Sequence, residues 1–154
     1  MKRDVEDFYL LLHPRPVILI VTMSEEGKVN IMSCSWNTPL AEEPPFLGIS
    51  IWKGSYTHEL LKEIPEFTAN IPDLSLLKQV VTAGTKSGRK VDKVKLMKIT
   101  LEPSRRVKPP IIKECIGHLE CVVADKVDVG ECTLFIGRIL EAYANEDCFK
   151  GIGT

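Results

Sequence analysis

The sequence predicts a mainly β fold, a β-barrel of roughly six or seven strands with two or three helices added. Three observations predict it. Short runs of β-branched and aromatic residues recur along the chain, bounded by Gly, Pro and acidic turn residues. Apolar residues take up the helical repeat only in brief segments. The last third holds two long strand-like runs joined by a tight turn. The 154 residues make one ordinary domain, 1–154, with 44% hydrophobic and 27% charged residues, the profile of a soluble globular chain. A domain of this length buries about two-thirds of its unfolded surface and needs no disulfide or metal to hold its core.

Val5, Phe8, Tyr9 and Leu12 recur at helical spacing, so a short amphipathic helix is expected before Pro14 and Pro16. Val17 to Met23 reads as a buried strand. Ser24 to Lys28 is a turn in which Gly27 can take positive φ, and Val29 to Cys34 is the returning arm of a hairpin. After Glu42-Glu43-Pro44-Pro45, Phe46 to Trp52 is a strand and Thr57 to Ile64 a helix that stops before Pro65. Phe67 to Ile71 is a further strand, and Asp73 caps a helix running to about Ala83. A basic stretch from Lys86 to Lys98 precedes a short strand over Ile99 to Glu102. Ile111 to Val127 and Glu131 to Ala144 are the two long runs, joined at Asp128-Val129-Gly130.

Composition narrows the function classes. A net charge of −1 excludes the whole molecule as a polyanion binder. The N-terminus is acidic at once and carries no apolar segment of a secretory leader, and Val17 to Val21 is far too short to cross a bilayer. The five cysteines are odd in number and form no C-x-x-C pair. Reduced thiols, a cytoplasmic location and no membrane attachment are therefore expected.

Metal and nucleophile chemistry find little support. Cys115-x-x-His118-x-x-Cys121 has the residue types of a zinc site, but on a strand residue 118 faces away from 115 and 121, and no fourth ligand lies nearby. No metal is expected. There is no G-x-S-x-G elbow, and nothing marks a carboxylate pair for acid–base work, so no catalytic residue is assigned.

Phosphate binding has more to recommend it, although no G-x-G-x-x-G or Walker motif is present. From Ser50 through Lys53, Gly54, Ser55, Tyr56 and Thr57 a strand ends, a glycine turns and a helix begins. A helix N-terminus offers free N–H groups and a positive dipole end to a phosphate, and Lys53, Ser55 and Thr57 add a charge and hydroxyls. Taken alone, the stretch reads better as a plain N-cap with a surface lysine. Asn30, Met32, Ser33, Cys34, Ser35 and Trp36 end a strand with small polar side chains around one Trp, a backbone that can lie beside a planar heterocycle. Alone, that stretch reads better as a strand edge with Trp36 in the core. Lys86 to Lys98 could embrace a phosphate or form an ordinary solvated helix face.

The ordered set says more than any one stretch. Arg15-Pro16-Val17, Val21-Thr22, Asn30 with Ser33 to Thr38, Pro44-Pro45, Tyr56-Thr57-His58-Glu59-Leu60, Glu66-Phe67, Asn70-Ile71-Pro72, Gly88-Arg89 with Asp92-Lys93, and Thr133 to Gly137 follow one another from about residue 13 to 140. This series resembles the flavin reductase-like FMN-binding split-barrel family, close to its flavoredoxin branch. The resemblance implies a six-stranded Greek-key split barrel and a homodimer with one FMN per subunit near the interface. It places Asn30 and Ser33 to Trp36 along the isoalloxazine and ribityl chain, Ser50, Ser55 and Thr57 near the ribityl–phosphate end, and Lys93 on the phosphate or flavin. It implies electron transfer, either as an NAD(P)H:flavin oxidoreductase or as a carrier served by a redox protein, the two weighing evenly. Cys132 stands where many relatives have a histidine near the flavin, which puts nicotinamide handling in question. Two other readings are a split barrel that has lost its flavin and a small barrel binding nucleic acid through Lys86–Lys98, Arg105, Arg106 and Lys108. Aromatics are only 6% of the chain and none lies in the basic stretch, so the last reading lacks its stacking platforms.

Overall fold

The structure, a computed structural model, describes residues 1–150. Strand β1 (Ile18–Met23) is buried almost throughout, because both of its faces are covered. Ile18 and Ile20 enter the barrel core with Ile49, Phe67 and Phe135. Leu19 and Val21 enter a second cluster with Ile31, Leu76, Ala83 and Met97. Cover on both faces explains why this strand is a continuous apolar run rather than an alternating one.

The main sheet has seven strands in the order β2-β1-β5-β8-β9-β4-β3, from β2 (Val29–Cys34), β3 (Asn37–Ala41), β4 (Phe46–Trp52), β5 (Glu66–Ile71), β8 (Gly117–Val129) and β9 (Cys132–Ala144) with β1. Its two outer strands, β2 and β3, are separated in sequence only by Ser35 and Trp36. The sheet therefore curls until its edges approach at this seam, which gives a mainly β, split-barrel architecture. A two-stranded ribbon, β6 (Leu101–Glu102) with β7 (Ile111–Ile112), stands apart.

Helix α1 (Tyr56–Glu63) follows β4, and α2 (Leu77–Thr85) follows a 3-10 turn whose Asp73 carboxylate accepts from the Ser75 N–H at 3.0 Å. Helix α3 (Lys93–Met97) is capped by Asp92. Helices α2 and α3 cover β2, supplying the second apolar cluster. No helix among the described residues is long and apolar enough to cross a membrane.

Three sequence expectations need correction. The N-terminal segment is a 3-10 turn over Phe8–Leu12 with no buried residue, so its apolar side chains face outward instead of packing into the core. Strand β3 went unrecognised: it holds Pro39, four of its five residues are exposed, and it lies at the sheet edge where a proline is tolerated. The expected long run from Ile111 to Val127 breaks after Ile112, because β7 pairs with β6 and a turn precedes β8. The hairpin turn falls at Gly130, whose φ is +57°.

Candidate functional site: a basic groove that runs onto the barrel seam

Gly54 turns the chain out of β4. A Cβ there would lie 2.5 Å from the Trp52 ring, so a larger residue would displace that ring from its present place. Ser55 then caps α1, its Oγ accepting from the His58 N–H at 3.1 Å. The first-turn amides of Tyr56 and Thr57 have no partner within the helix. Thr57 is buried, and its Oγ1 accepts from Asn30 Nδ2 on β2 at 3.1 Å. That bond uses a lone pair and leaves the hydroxyl proton free to donate. Asn30 Oδ1 is buried without a partner among the described residues.

The segment between α2 and α3 crosses above these residues. A Cβ at Gly88 would collide with Asn30 Oδ1, so the strap descends to this depth only as glycine. Lys28 Nζ donates to the Gly88 carbonyl at 3.0 Å. Arg89 donates to Glu59 Oε2 at 2.7 Å and to the Gly54 carbonyl at 3.0 Å, with its guanidinium 5.5 Å from the Tyr56 ring centre. Lys93 on α3 is only 5% exposed, and its ammonium donates to the carbonyls of Ile31 at 2.7 Å and Ala83 at 3.0 Å. Burial pulls its pKa down to about 8.

These residues line a groove of about 450 Å³. Lys86, Arg89 and Lys93 contribute three cations to its walls, Ser33, Ser55, Tyr56, Thr57, Thr85 and Ser87 contribute hydroxyls, and among the described residues no carboxylate lines it. A buried ammonium held only by carbonyls, with no acid beside it, leaves positive potential for an anionic ligand.

Met32, Ser33, Trp52 and Ser55 also wall a second recess of about 350 Å³, so the two form one trough. This end adds Cys34, Ser35, Trp36, Ser50, Glu131 and Cys132. It lies at the seam, where the Ser50 N–H donates to the Trp36 carbonyl at 3.0 Å and Cys132 pairs with Trp52 across β4 and β9. Its exposed wall is mainly apolar, from Met32, Trp36 and Trp52, with serines and Glu131 beside them. Burial pushes the Cys34 thiol up to about 11, so it stays protonated at neutral pH.

The trough thus gathers Asn30, Met32, Ser33, Cys34, Ser35, Trp36, Ser50, Ser55, Tyr56, Thr57, Lys93 and Cys132. It does not gather Lys53. That side chain turns to the β8–β9 hairpin, donating to the Gly130 carbonyl at 3.2 Å and pairing with Asp128 at 3.5 Å. It lines a cavity of about 690 Å³ on which His58, and not Thr57, opens. That cavity is larger, but Lys53, Lys62 and Lys126 share it with Asp125 and Asp128, so it lacks the uniform charge of the groove. Trp36 is 40% exposed and stands at the mouth of the trough, not in the core.

Sequence reading placed none of Trp52, Gly54, Thr85, Lys86, Ser87 and Arg89 on the cofactor. Gly54 counted only as a turn, and Lys86, Ser87 and Arg89 counted only as members of the basic stretch, with Gly88-Arg89 also in the ordered series. Its lysines do not form one solvated face: Lys86, Arg89 and Lys93 line the groove, and α3 is only five residues long. Cys115 and Cys121 fall in different core clusters, and His118 bonds Asn70 Oδ1 at 2.8 Å. Among the described residues no group of three or more His, Cys, Asp or Glu is placed to hold a metal.

The trough meets the demands of FMN. The basic, hydroxyl-rich end over a helix N-terminus suits a phosphate dianion, and the unpartnered Asn30 amide oxygen suits a hydroxyl or N–H donor beyond it. The apolar seam suits a planar ring.

Comparison with known proteins points the same way. Residues 10–151 match the family model described as "Flavin reductase like domain". An uncharacterized protein of Archaeoglobus fulgidus is 42% identical over 150 residues, covering 97% of this chain and 83% of the relative. Among solved structures, the flavoredoxin of Desulfovibrio vulgaris (Miyazaki F) superposes with a TM-score of 0.88 at 27% identity, covering 98% of this chain and 80% of that one. An FMN-binding protein from Thermus thermophilus, solved with bound 1-cyclohex-2-enone, also gives 0.88 at 26% identity, covering 100% and 83%.

Proposed function

The chain belongs to the flavin reductase-like family, and from that premise we propose that it holds FMN in the trough and serves flavin-dependent electron transfer. The observation that carries this reading is the wall of the basic end, with three cations (Arg89 paired outside the groove with Glu59), six hydroxyls and, among the described residues, no carboxylate, running directly onto a more apolar recess. When bound, the flavin supplies redox chemistry that no side chain here can supply.

The chain's own residues bind and orient. Thr57 donates its free hydroxyl proton, the Tyr56 and Thr57 amides add N–H donors, and Lys86 and Arg89 neutralise charge at the phosphate end. Lys93 and Asn30 lie deeper in the groove, toward Ser33 and Met32. A buried ammonium there favours an anionic ligand over a neutral one and so favours a reduced, anionic cofactor. Trp36, Trp52 and Met32 exclude water from the ring end.

Cys132 lines that end with no ionisable base beside it except Glu131. We assign no proton-transfer role to it, and the flavoredoxin-type carrier and the NAD(P)H:flavin oxidoreductase remain the two forms of this reading. Steady-state NAD(P)H oxidation by the FMN-loaded protein, with and without added free flavin, separates them: turnover identifies the reductase, and a bound flavin that only a redox protein reduces identifies the carrier.

We further infer a cytoplasmic homodimer joined near the seam. Leu10 and Leu11, on the turn whose Tyr9 packs on Trp36, and Leu40 on the edge strand β3 are exposed, apolar side chains that a second copy would cover.

A further inference from the structure

A pocket of about 320 Å³ adjoins the seam end of the trough and shares Ser35, Trp36 and Ser50 with it. Its outer wall is the N-terminal 3-10 turn, which supplies Phe8, Tyr9 and Leu12 and contributes no residue to the core. The Tyr9 ring lies 5.9 Å from that of Trp36. The pocket wall is mainly aromatic and aliphatic, with Ser35, Asn37, Thr38 and Ser50 as neutral polar groups and Arg15 as the one charged side chain.

Arg15 is short of acceptors. Its guanidinium sits 5.7 Å from the Trp36 ring centre, and among the described residues its one hydrogen bond is long, 3.4 Å from Nη1 to the Tyr9 carbonyl. Its Nε–H is shut off from water with no partner among the described residues. Among the described residues no carboxylate lies within ion-pairing distance of it. A guanidinium has five donors arranged as a fork that fits a carboxylate, and an unmet buried donor is costly. A ligand completing this site carries a carboxylate for Arg15 and a flat apolar body for Phe8, Tyr9 and Trp36.

We propose that this pocket binds a planar aromatic carboxylate, beside the ring end of the trough. The flavin reading determines what lies next to the pocket; the pocket itself stands on Arg15 and its aromatic walls. In the family setting the ligand is a small-molecule partner of the electron-transfer site.

The test titrates FMN-loaded protein with benzoate and, in parallel, with benzyl alcohol, following both tryptophan fluorescence and the flavin difference spectrum. Trp36→Phe identifies the share of the fluorescence that comes from Trp36. Benzoate is expected to saturate both signals and to bind at least about tenfold more tightly than benzyl alcohol. Arg15→Gln should abolish that preference and Arg15→Lys should keep part of it, while both retain FMN. Equal binding of the two probes, a preference that survives Arg15→Gln, or no Trp36 response at about 10 mM benzoate overturns the proposal. A saturating Trp36 signal with an unmoved flavin spectrum upholds the pocket and contradicts the flavin placement beside it.

Discussion

The Asn30 side-chain amide donates to Thr57 Oγ1 at 3.1 Å across 27 positions of sequence, and both residues are almost fully buried. The bond joins the sheet to the first turn of α1 and fixes which way the Thr57 hydroxyl proton can point. Thr57→Val keeps the shape and removes the hydroxyl. It should weaken FMN binding by about 1–3 kcal/mol, the range for a lost charge-assisted hydrogen bond. The same substitution in an Asn30→Ala background should cost less, because the hydroxyl is no longer oriented. Fluorescence titration of the four proteins in this double-mutant cycle measures the coupling.

Gly88→Ala tests the strap. Its Cβ collides with Asn30 Oδ1, and Asn30 is itself tied to Thr57, so the strap must lift. We expect a loss of about 1–3 kcal/mol in stability with a fall in FMN affinity. Gly84→Ala, where a Cβ meets Ser33 Cβ at 3.4 Å in ordinary contact, should leave stability nearly unchanged. Chemical denaturation of the two variants gives the comparison.

Lys93 makes flavin affinity depend on pH. Its pKa in the free protein is about 8, and a bound anion raises it. Affinity should therefore be highest below about 8 and fall as pH rises through that value, as the ammonium is lost before the ligand can use it. Stability without flavin runs the other way. The unfolded lysine titrates near its ordinary value of 10.5, so the unfolded chain binds more protons between about 8 and 10.5, and this group makes the folded state relatively more stable as pH rises across that window. Lys93→Gln should flatten both dependences. Titrations and melts across pH 7–10 check the signs.

What the sequence showed of the fold depended on whether a pattern had a local cause. The run of β1 was legible because cover on both faces leaves only apolar residues. The cap of α1 was legible because Ser55 acts on its own neighbours. Strand β3 was not, since an exposed edge strand with a proline has neither periodicity nor burial to reveal it. Lys53 lies outside the trough because its direction depends on the register between β4 and β9, which sets its backbone N–H on the Glu131 carbonyl and sends its side chain to Gly130. Arg89, Lys86 and Ser87 belong to the site through a tertiary crossing of the strap over Asn30, and a charge run cannot show which of its members turn inward.

The seam face should decide the assembly. Leu11 is 70% exposed and Leu40 is 42% exposed, so Leu11→Glu and Leu40→Glu should leave the fold intact. Sedimentation velocity should show a dimer for the parent protein and a monomer for the double variant. A parent that sediments as a monomer at micromolar concentration removes the dimer from the account.

The central claim, that the basic end grips a phosphate, is tested most directly by titrating flavin-free protein with FMN and with riboflavin, which differ only by that group. The account predicts about one FMN per chain and a riboflavin affinity lower by about a hundredfold, with the gap narrowing in Arg89→Ala. Equal affinities for the two flavins, or no binding of FMN, would contradict it.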